Sequence, residues 1–369
     1  KIIEPYKNSN RSTNNCIVPV SGAKDSYFVV HIVKNILKMN PLLVTYNNHY
    51  NTQVGIRNLA YLKTYFGCPL ITNTVSPNKV KKITKTSIRL MGSIYWHCIS
   101  GQTVFPVQVA CKFKIPLIIW GLHQGVDQVG MFSHTDEVEM TRKYRKEHDL
   151  MGFEAEDLVN RSDLRESDLE NYYYPHDKEI QSVGVRGIYL NNYIRWDSKA
   201  QHENMIKKYN YQVNKQQRTF DTYNNIDCFH YSGLHDYIKY LKWGYGKATD
   251  HATREIRLKR LTRREGIKLL KKYNNKKPKD LKIFLKWIDM KEKVFFKHIN
   301  RFRNYEIWEK NNKKNSWRLK YKPQDYANNI KSRSVHLKKR GFCIFKKNKN
   351  KYFSSKKETK YTLLGRGWI

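Results

Sequence analysis

Acidic side chains are scarce in this chain: 32 Asp and Glu stand against 70 Lys and Arg, a formal charge of +38 over 369 residues. The six cysteines are scattered with no Cys-x-x-Cys pair, which removes the usual basis for a zinc site and fits thiols kept reduced in a cytoplasm. No apolar run reaches the ~18 residues that span a bilayer; the longest, 115–122, has the length of a buried strand. The Walker pattern is absent, no internal repeat is visible, and no Cys/His constellation of a glutaminase is identifiable. The chain begins at Lys1 without a methionine, and its natural N-terminus is expected to lie ahead of it.

Enough apolar sequence remains for a core, at 40%, and the length suits two domains or one large domain with an appendage. The positive charge is unevenly spread. Residues 251–369 hold 38 basic and 9 acidic side chains; the first 250 hold 32 and 23. A chain basic throughout would point to nucleic acid, whereas here the excess belongs to the last third.

Short apolar strands alternate with helical patterns in the first half, predicting a parallel sheet with helices on both faces. Strands are expected at 16–20, 42–46, 70–75 and 116–120. Ile56, Leu59, Leu62 and Phe66 recur at helical spacing before Gly67, and another helix is expected over 104–113 with Pro106 near its start. The polar stretch 160–181 reads as a loop or lid, and 182–196 as a further strand and its exit. From Gly233 the chain turns helical: Leu234, Tyr237, Ile238 and Leu241 share a stripe, Thr249 is a cap candidate, and Thr262-Arg-Arg-Glu265 has capping-box spacing. After about Asn300 periodicity fades. The expected organisation is a nucleotide-binding domain over 1–200, a mainly helical region over 201–299 that meets substrate or partner, and a basic extension over 300–369.

The segment Cys16-Ile-Val-Pro-Val-Ser-Gly-Ala-Lys-Asp-Ser26 carries the most chemistry. An apolar strand breaks into a small, polar turn, and Phe28, Val29, Ile32, Val33, Ile36 and Leu37 then form one helical stripe. The unpaired N–H groups and positive pole at that helix start favour phosphate. Ser21, Gly22, Ala23, Lys24, Asp25 and Ser26 are the phosphate candidates, with Asp25 able to help hold magnesium. Ligands of such sheets bind beyond the carboxyl ends of the strands. Asn47 and Asn48 there could meet an adenosine or merely form a solvated turn, while Gly121, His123 and Gln124 follow the fourth strand.

The turn resembles the PP-loop, Ser-Gly-Gly-x-Asp-Ser, of enzymes that split ATP between its α and β phosphates; Ala23 replaces the second glycine. Further motifs are Trp120-Gly-Leu-His-Gln124, Gly187-Ile-Tyr-Leu-Asn-Asn-Tyr-Ile-Arg-Trp196, Arg218-Thr-Phe-Asp-Thr-Tyr223 and a long block from His230 to Arg257. With these the chain, from about Asn15 to about Leu270, resembles the N-acetyl sugar amidotransferases of bacterial surface-polysaccharide synthesis, a PP-loop family.

The resemblance implies ATP and Mg2+ as cofactors, with Lys24 and Asp25 as catalytic candidates. The expected substrate is a nucleotide- or lipid-linked N-acetyl sugar whose acetamido group becomes acetamidino. It implies ammonia from a glutaminase subunit with its cyclase-like partner, and assigns a structural zinc to a cysteine-rich segment that this sequence lacks. His235, Asp236, Lys239, Asp250, His251 and Arg254 are the substrate-binding candidates. Asp250/Arg254 and His251/Glu255 are also i,i+4 pairs that a plain surface ion ladder would explain. The rival reading is a PP-loop enzyme that thiolates tRNA or forms lysidine. The absence of paired catalytic cysteines, and a charge excess centred outside the motifs, weigh against it and against nucleic acid as partner. A cytoplasmic protein is expected, peripheral to the inner membrane if the basic tail docks there rather than on an acidic subunit.

Overall fold

A computed structural model describes residues 2–7, 13–123, 139–311 and 316–322, together with the short strands Ile344–Lys346 and Tyr361–Leu363. Strands β1 (Cys16–Pro19), β2 (Pro41–Tyr46), β3 (Leu70–Asn73), β4 (Leu117–Trp120) and β5 (Arg186–Tyr189) form one parallel sheet in the order β3-β2-β1-β4-β5. Ile17, Leu42, Val44 and Ile118 enter one core cluster, and Cys16, Val18, Leu43, Leu117 and Ile119 another. That alternation is what strands covered on both faces produce. The chain winds outward from β1 to β3 and then returns to place β4 on the other side of β1, so the strand order reverses between β1 and β4. A crevice outside the carboxyl ends is expected at such a reversal.

Helix α1 (Lys24–Val30) leaves the turn after β1 and continues as a π-helical segment, His31–Ile36. Helix α2 (Gln53–Phe66) is capped by the Thr52 hydroxyl, which accepts from the Gly55 amide at 3.0 Å, and ends at Gly67 with φ 54°. A left-handed end of this kind favours glycine. Helices α3 (Pro77–Met91) and α4 (Trp96–Phe113) precede β4, and α5 (Ser198–Tyr209) packs back on α1. The C-terminal region is helical: α6 (Phe229–Trp243), α7 (Lys247–Arg257), α8 (Arg263–Tyr273), α9 (Leu281–Trp287) and α10 (Glu292–Asn300). Leu234, Ile238, Leu241, Phe284 and Phe295 form its core, which also takes in Ile88 of α3. Among the described residues no helix is long and apolar enough to cross a membrane.

Several local expectations are corrected. The helix expected at 104 starts at Trp96 and carries Pro106 in its interior. Trp96, Cys98, Val104 and Val107 are all buried along it, and Gly101 lies so close to the Tyr46 ring that a Cβ would sit 2.3 Å from it. This packing offsets the hydrogen bond lost at proline. The segment 160–181 is not a loose lid: it includes helical turns at Glu166–Leu169 and Glu170–Tyr172 and the start of the helix Asp177–Val183. Leu164, Leu169 and Tyr172 are buried, and the Tyr172 and Tyr46 hydroxyls meet at 2.7 Å. Gly246, not Thr249, caps α7, while the Thr262 capping box forms as expected. Beyond Asn300, β6 (Trp308–Asn311) pairs antiparallel with β7 (Ser316–Leu319). Trp308 is buried in the helical core beside Tyr240, ring centroids 5.6 Å apart.

Candidate active site

A cleft of about 620 Å³ opens where the strand order reverses. One wall is the turn after β1 with the ends of β2 and β4; the other is formed by α6, the turn after it and the start of α7.

The turn is shaped by close backbone approach. A Cβ on Gly22 would lie 2.2 Å from the Gly55 carbonyl oxygen, and one on Gly55 would lie 2.5 Å from Asp227 Cα. Glycine is therefore required at both positions. Ala23 is different: it is the N-cap of α1 with φ −89° and ψ 165°, extended backbone open to any residue. Its methyl side chain cannot cap, so the first amides of α1 receive no side-chain acceptor. The Ser21 amide donates to Ser26 Oγ at 2.8 Å, and the Ala23 amide donates to Ser21 Oγ at 3.2 Å. Both hydroxyls thus tie the turn together.

Ser21, Ala23, Asp25 and Ser26 line the cleft, as does Asn48. Asn48 is buried and accepts from Gln102 Nε2 at 3.0 Å, whereas Asn47 holds its own turn by accepting from the His49 amide at 2.9 Å and Asn51 Nδ2 at 2.8 Å. Gly22 is the spacer under the turn. Lys24 does not line the cleft: it is 2% exposed, paired with Asp25, and its ammonium lies 5.9 Å from the Tyr223 ring centroid. Gly121 and His123 do not line it either. A Cβ on Gly121 would meet Val29 at 2.8 Å, and His123 is buried between Tyr144 and Tyr189, ring centroids 4.5 and 4.6 Å away. Gln124 lies outside the described residues.

On the helical wall His235, Asp236, Lys239 and Asp250 all face the cleft. His235 lies against Tyr95 with ring centroids 4.7 Å apart, and burial lowers its pKa to about 4, so it is neutral near pH 7. Lys239 pairs with Asp250 at 2.6 Å and sits 4.5 Å over the Tyr245 ring. Asp236 accepts from Arg218 Nε at 2.7 Å and from the Lys247 amide at 2.5 Å, which ties α6 to the start of α7. His251 and Arg254 are neither a surface ladder nor part of the cleft lining. Their polar atoms go inward, Arg254 Nη2 to Asp221 at 2.9 Å and His251 Nδ1 to the Thr219 hydroxyl at 2.7 Å.

Asp227 is a cleft residue that sequence reading passed over. Thr52 donates its amide to the Asp227 carbonyl at 2.8 Å and its hydroxyl to the Ile226 carbonyl at 2.5 Å, which pins this segment to the start of α2. The Asp227 carboxyl then meets the Ser21 hydroxyl; burial raises its pKa, and the nearby Asp25 charge raises it further. Asp25 and Asp227 are thus two carboxyls in electrostatic reach of one another at the cleft, and the Lys24 ammonium pairs with the first. Among the described residues no group of three or more His, Cys, Asp or Glu is placed to hold a metal ion. Asp149 also lines the cleft, its pKa raised by burial to about 6. Neither aspartate sits in a legible motif; long-range packing brings both to the site.

Residues 204–323 match the family model described as LPS biosynthesis protein WbpG-like, C-terminal domain. The match covers the helical wall and the β6–β7 hairpin, and supports a role in polysaccharide biosynthesis. It also extends past Leu270, where the resemblance read from sequence stopped. No curated protein matches the chain.

Proposed function

We propose that this chain is an ATP-dependent, AMP-forming amidotransferase that converts the acetamido group of a nucleotide- or lipid-linked N-acetyl sugar to acetamidino. The observation that carries the reading is the meeting, in one cleft, of a Ser-Asp turn at the sheet's reversal point and a helical wall similar to a polysaccharide-biosynthesis domain.

In this reading ATP lies along the sheet wall, its phosphates at Ser21, Ala23 and Ser26 and its adenosine toward Asn48. Asp25 and Asp227 would hold a magnesium ion, which supplies charge neutralisation for the departing pyrophosphate. The sugar occupies the helical wall between Tyr95, His235 and Lys239. The amide oxygen takes the AMP unit and pyrophosphate leaves. Ammonia then adds to the activated carbon, and AMP and a proton leave the acetamidino product. The amide oxygen is a poor leaving group and AMP a good one, so the protein's task is to align the two substrates and keep water out. Ammonia is supplied by a separate glutaminase with its cyclase-like partner.

The test is product analysis. Protein incubated with ATP, Mg2+, an N-acetyl sugar acceptor and ammonium should yield AMP, pyrophosphate and an amidine. ADP with inorganic phosphate would overturn the reading.

A further inference from the structure

Asp221 and Tyr223 of the Arg218–Tyr223 motif and Arg254 and Glu255 of the block that ends at Arg257 meet away from the cleft lining, in a buried charge network. Asp221 accepts from the amides of Tyr223 and Asn224 at 2.8 and 2.9 Å, which fixes the backbone that carries the Tyr223 ring. Arg254 Nη2 donates to Asp221 Oδ2 and to the Tyr223 hydroxyl, both at 2.9 Å. Arg254 Nε donates to Glu255 at 3.0 Å, Glu255 is bridged by Arg260, and Arg260 binds both Asp197 oxygens at 2.8 and 3.0 Å. Asp197 caps α5, and α5 lays His202 against the Tyr223 ring, with ring centroids 4.0 Å apart. The ring is therefore held by its hydroxyl and its backbone, with the His202 ring tilted against it. The Lys24 ammonium lies 5.9 Å from its centroid.

A buried ammonium needs compensation. Here the Asp25 carboxylate and the π face of Tyr223 provide it. Lys24 and Asp25 are consecutive, and Asp25 is the member that faces the cleft.

We infer that Tyr223, locked by Arg254 and Asp221, is a positioning residue: it stores Lys24 inside the protein and so sets the Asp25 carboxylate at the phosphate turn. The inference rests on the turn binding ATP. It assigns Asp221, Tyr223 and Arg254 to the geometry of the ATP wall, with sugar recognition left to the helical wall.

Two measurements on the full chain test it. The first is the rate at which an amine-reactive reagent labels Lys24, read by peptide mass spectrometry without nucleotide. Lys24 should be protected in the wild type and in Tyr223→Phe, which keeps the ring, and labelled faster in Tyr223→Leu by on the order of tenfold or more. The second is Mg-ATP binding by calorimetry. Tyr223→Leu should weaken it by on the order of tenfold to a hundredfold, while Tyr223→Phe stays within about threefold. Rescue by phenylalanine separates positioning by the ring from a general loss of packing. Should the leucine variant not fold, Tyr223→Met replaces it, since methionine fills a comparable space but offers the Lys24 ammonium no π face. Unchanged Lys24 labelling in the leucine or substitute variant, or a phenylalanine variant as impaired as leucine, overturns the inference. A wild type that binds no ATP overturns the functional reading instead, and the labelling still decides whether Tyr223 holds Lys24.

Discussion

The two walls of the cleft are built on opposite principles. The sheet wall works with backbone: glycines at van der Waals limits, hydroxyls that close the turn, and a start of α1 without a side-chain cap. The helical wall works with side-chain charges, each fixed by a partner, as Asp236 is by Arg218 and Lys239 by Asp250. A backbone-built wall tolerates few changes of shape, and a charge-built wall tolerates few changes of sign. Substitutions should therefore fail differently on the two sides.

The largest effect is expected on the sheet wall. Asp25→Asn should lower AMP formation by on the order of a hundredfold to a thousandfold, and it should also lower the melting temperature, because the Lys24 ammonium is left buried without its carboxylate. Comparable turnover in the variant would remove Asp25 from the chemistry.

On the helical wall the expected loss is one of stability. Arg218 is 1% exposed, pairs with Asp236 and also donates to the Asn274 carbonyl at 3.0 Å. Arg218→Met leaves a buried carboxylate without its cation and should cost about 3–5 kcal/mol, measured by denaturant unfolding. A loss near zero would mean that the two walls do not differ in this way.

Acid should act through buried histidines. Burial lowers the pKa of His97 to about 3 and those of His202, His235 and His251 to about 4, below the usual 6.5. Between those values and 6.5 the unfolded chain binds protons that the folded chain refuses. Their contribution is thus complete above pH 6.5 and is lost as pH falls toward 4, by up to about 1.4 kcal/mol per pH unit for each histidine. Melting temperatures at pH 7 and pH 5 should differ clearly; a flat profile would show that these rings are solvated.

The smallest effect is expected at Ala23. Its φ is negative, so Ala23→Gly relieves nothing and adds only backbone freedom, costing roughly 0.5–1 kcal/mol. ATP affinity should be kept or slightly improved. A large loss would mean that the methyl group packs on something the site requires.

Much of the sheet wall was legible because strand, turn and helix follow one another within twenty residues. The apolar run, the small polar turn and the helical stripe are local patterns, and β1, α1 and their crevice lie where those patterns imply. The helical wall was legible as a block of sequence but not as roles. His235 and Lys239 line the cleft, whereas Arg254, as basic as Lys239 and four residues after the cleft-lining Asp250, is buried with Tyr223.

By itself the sequence determined the alternating strands and helices, the small polar turn between β1 and α1, and the concentration of charge in the last third. Each depends on neighbours a few residues apart. Only the tertiary structure decided that Lys24 is stored inside, that Asp227 joins Asp25, and that Trp308 belongs to the helical core. Those outcomes depend on contacts between distant segments: Thr52 with Asp227, Arg218 with Asn274, Tyr240 with Trp308. A buried charge takes whichever partner the packing brings to it, and its own sequence neighbours do not name that partner.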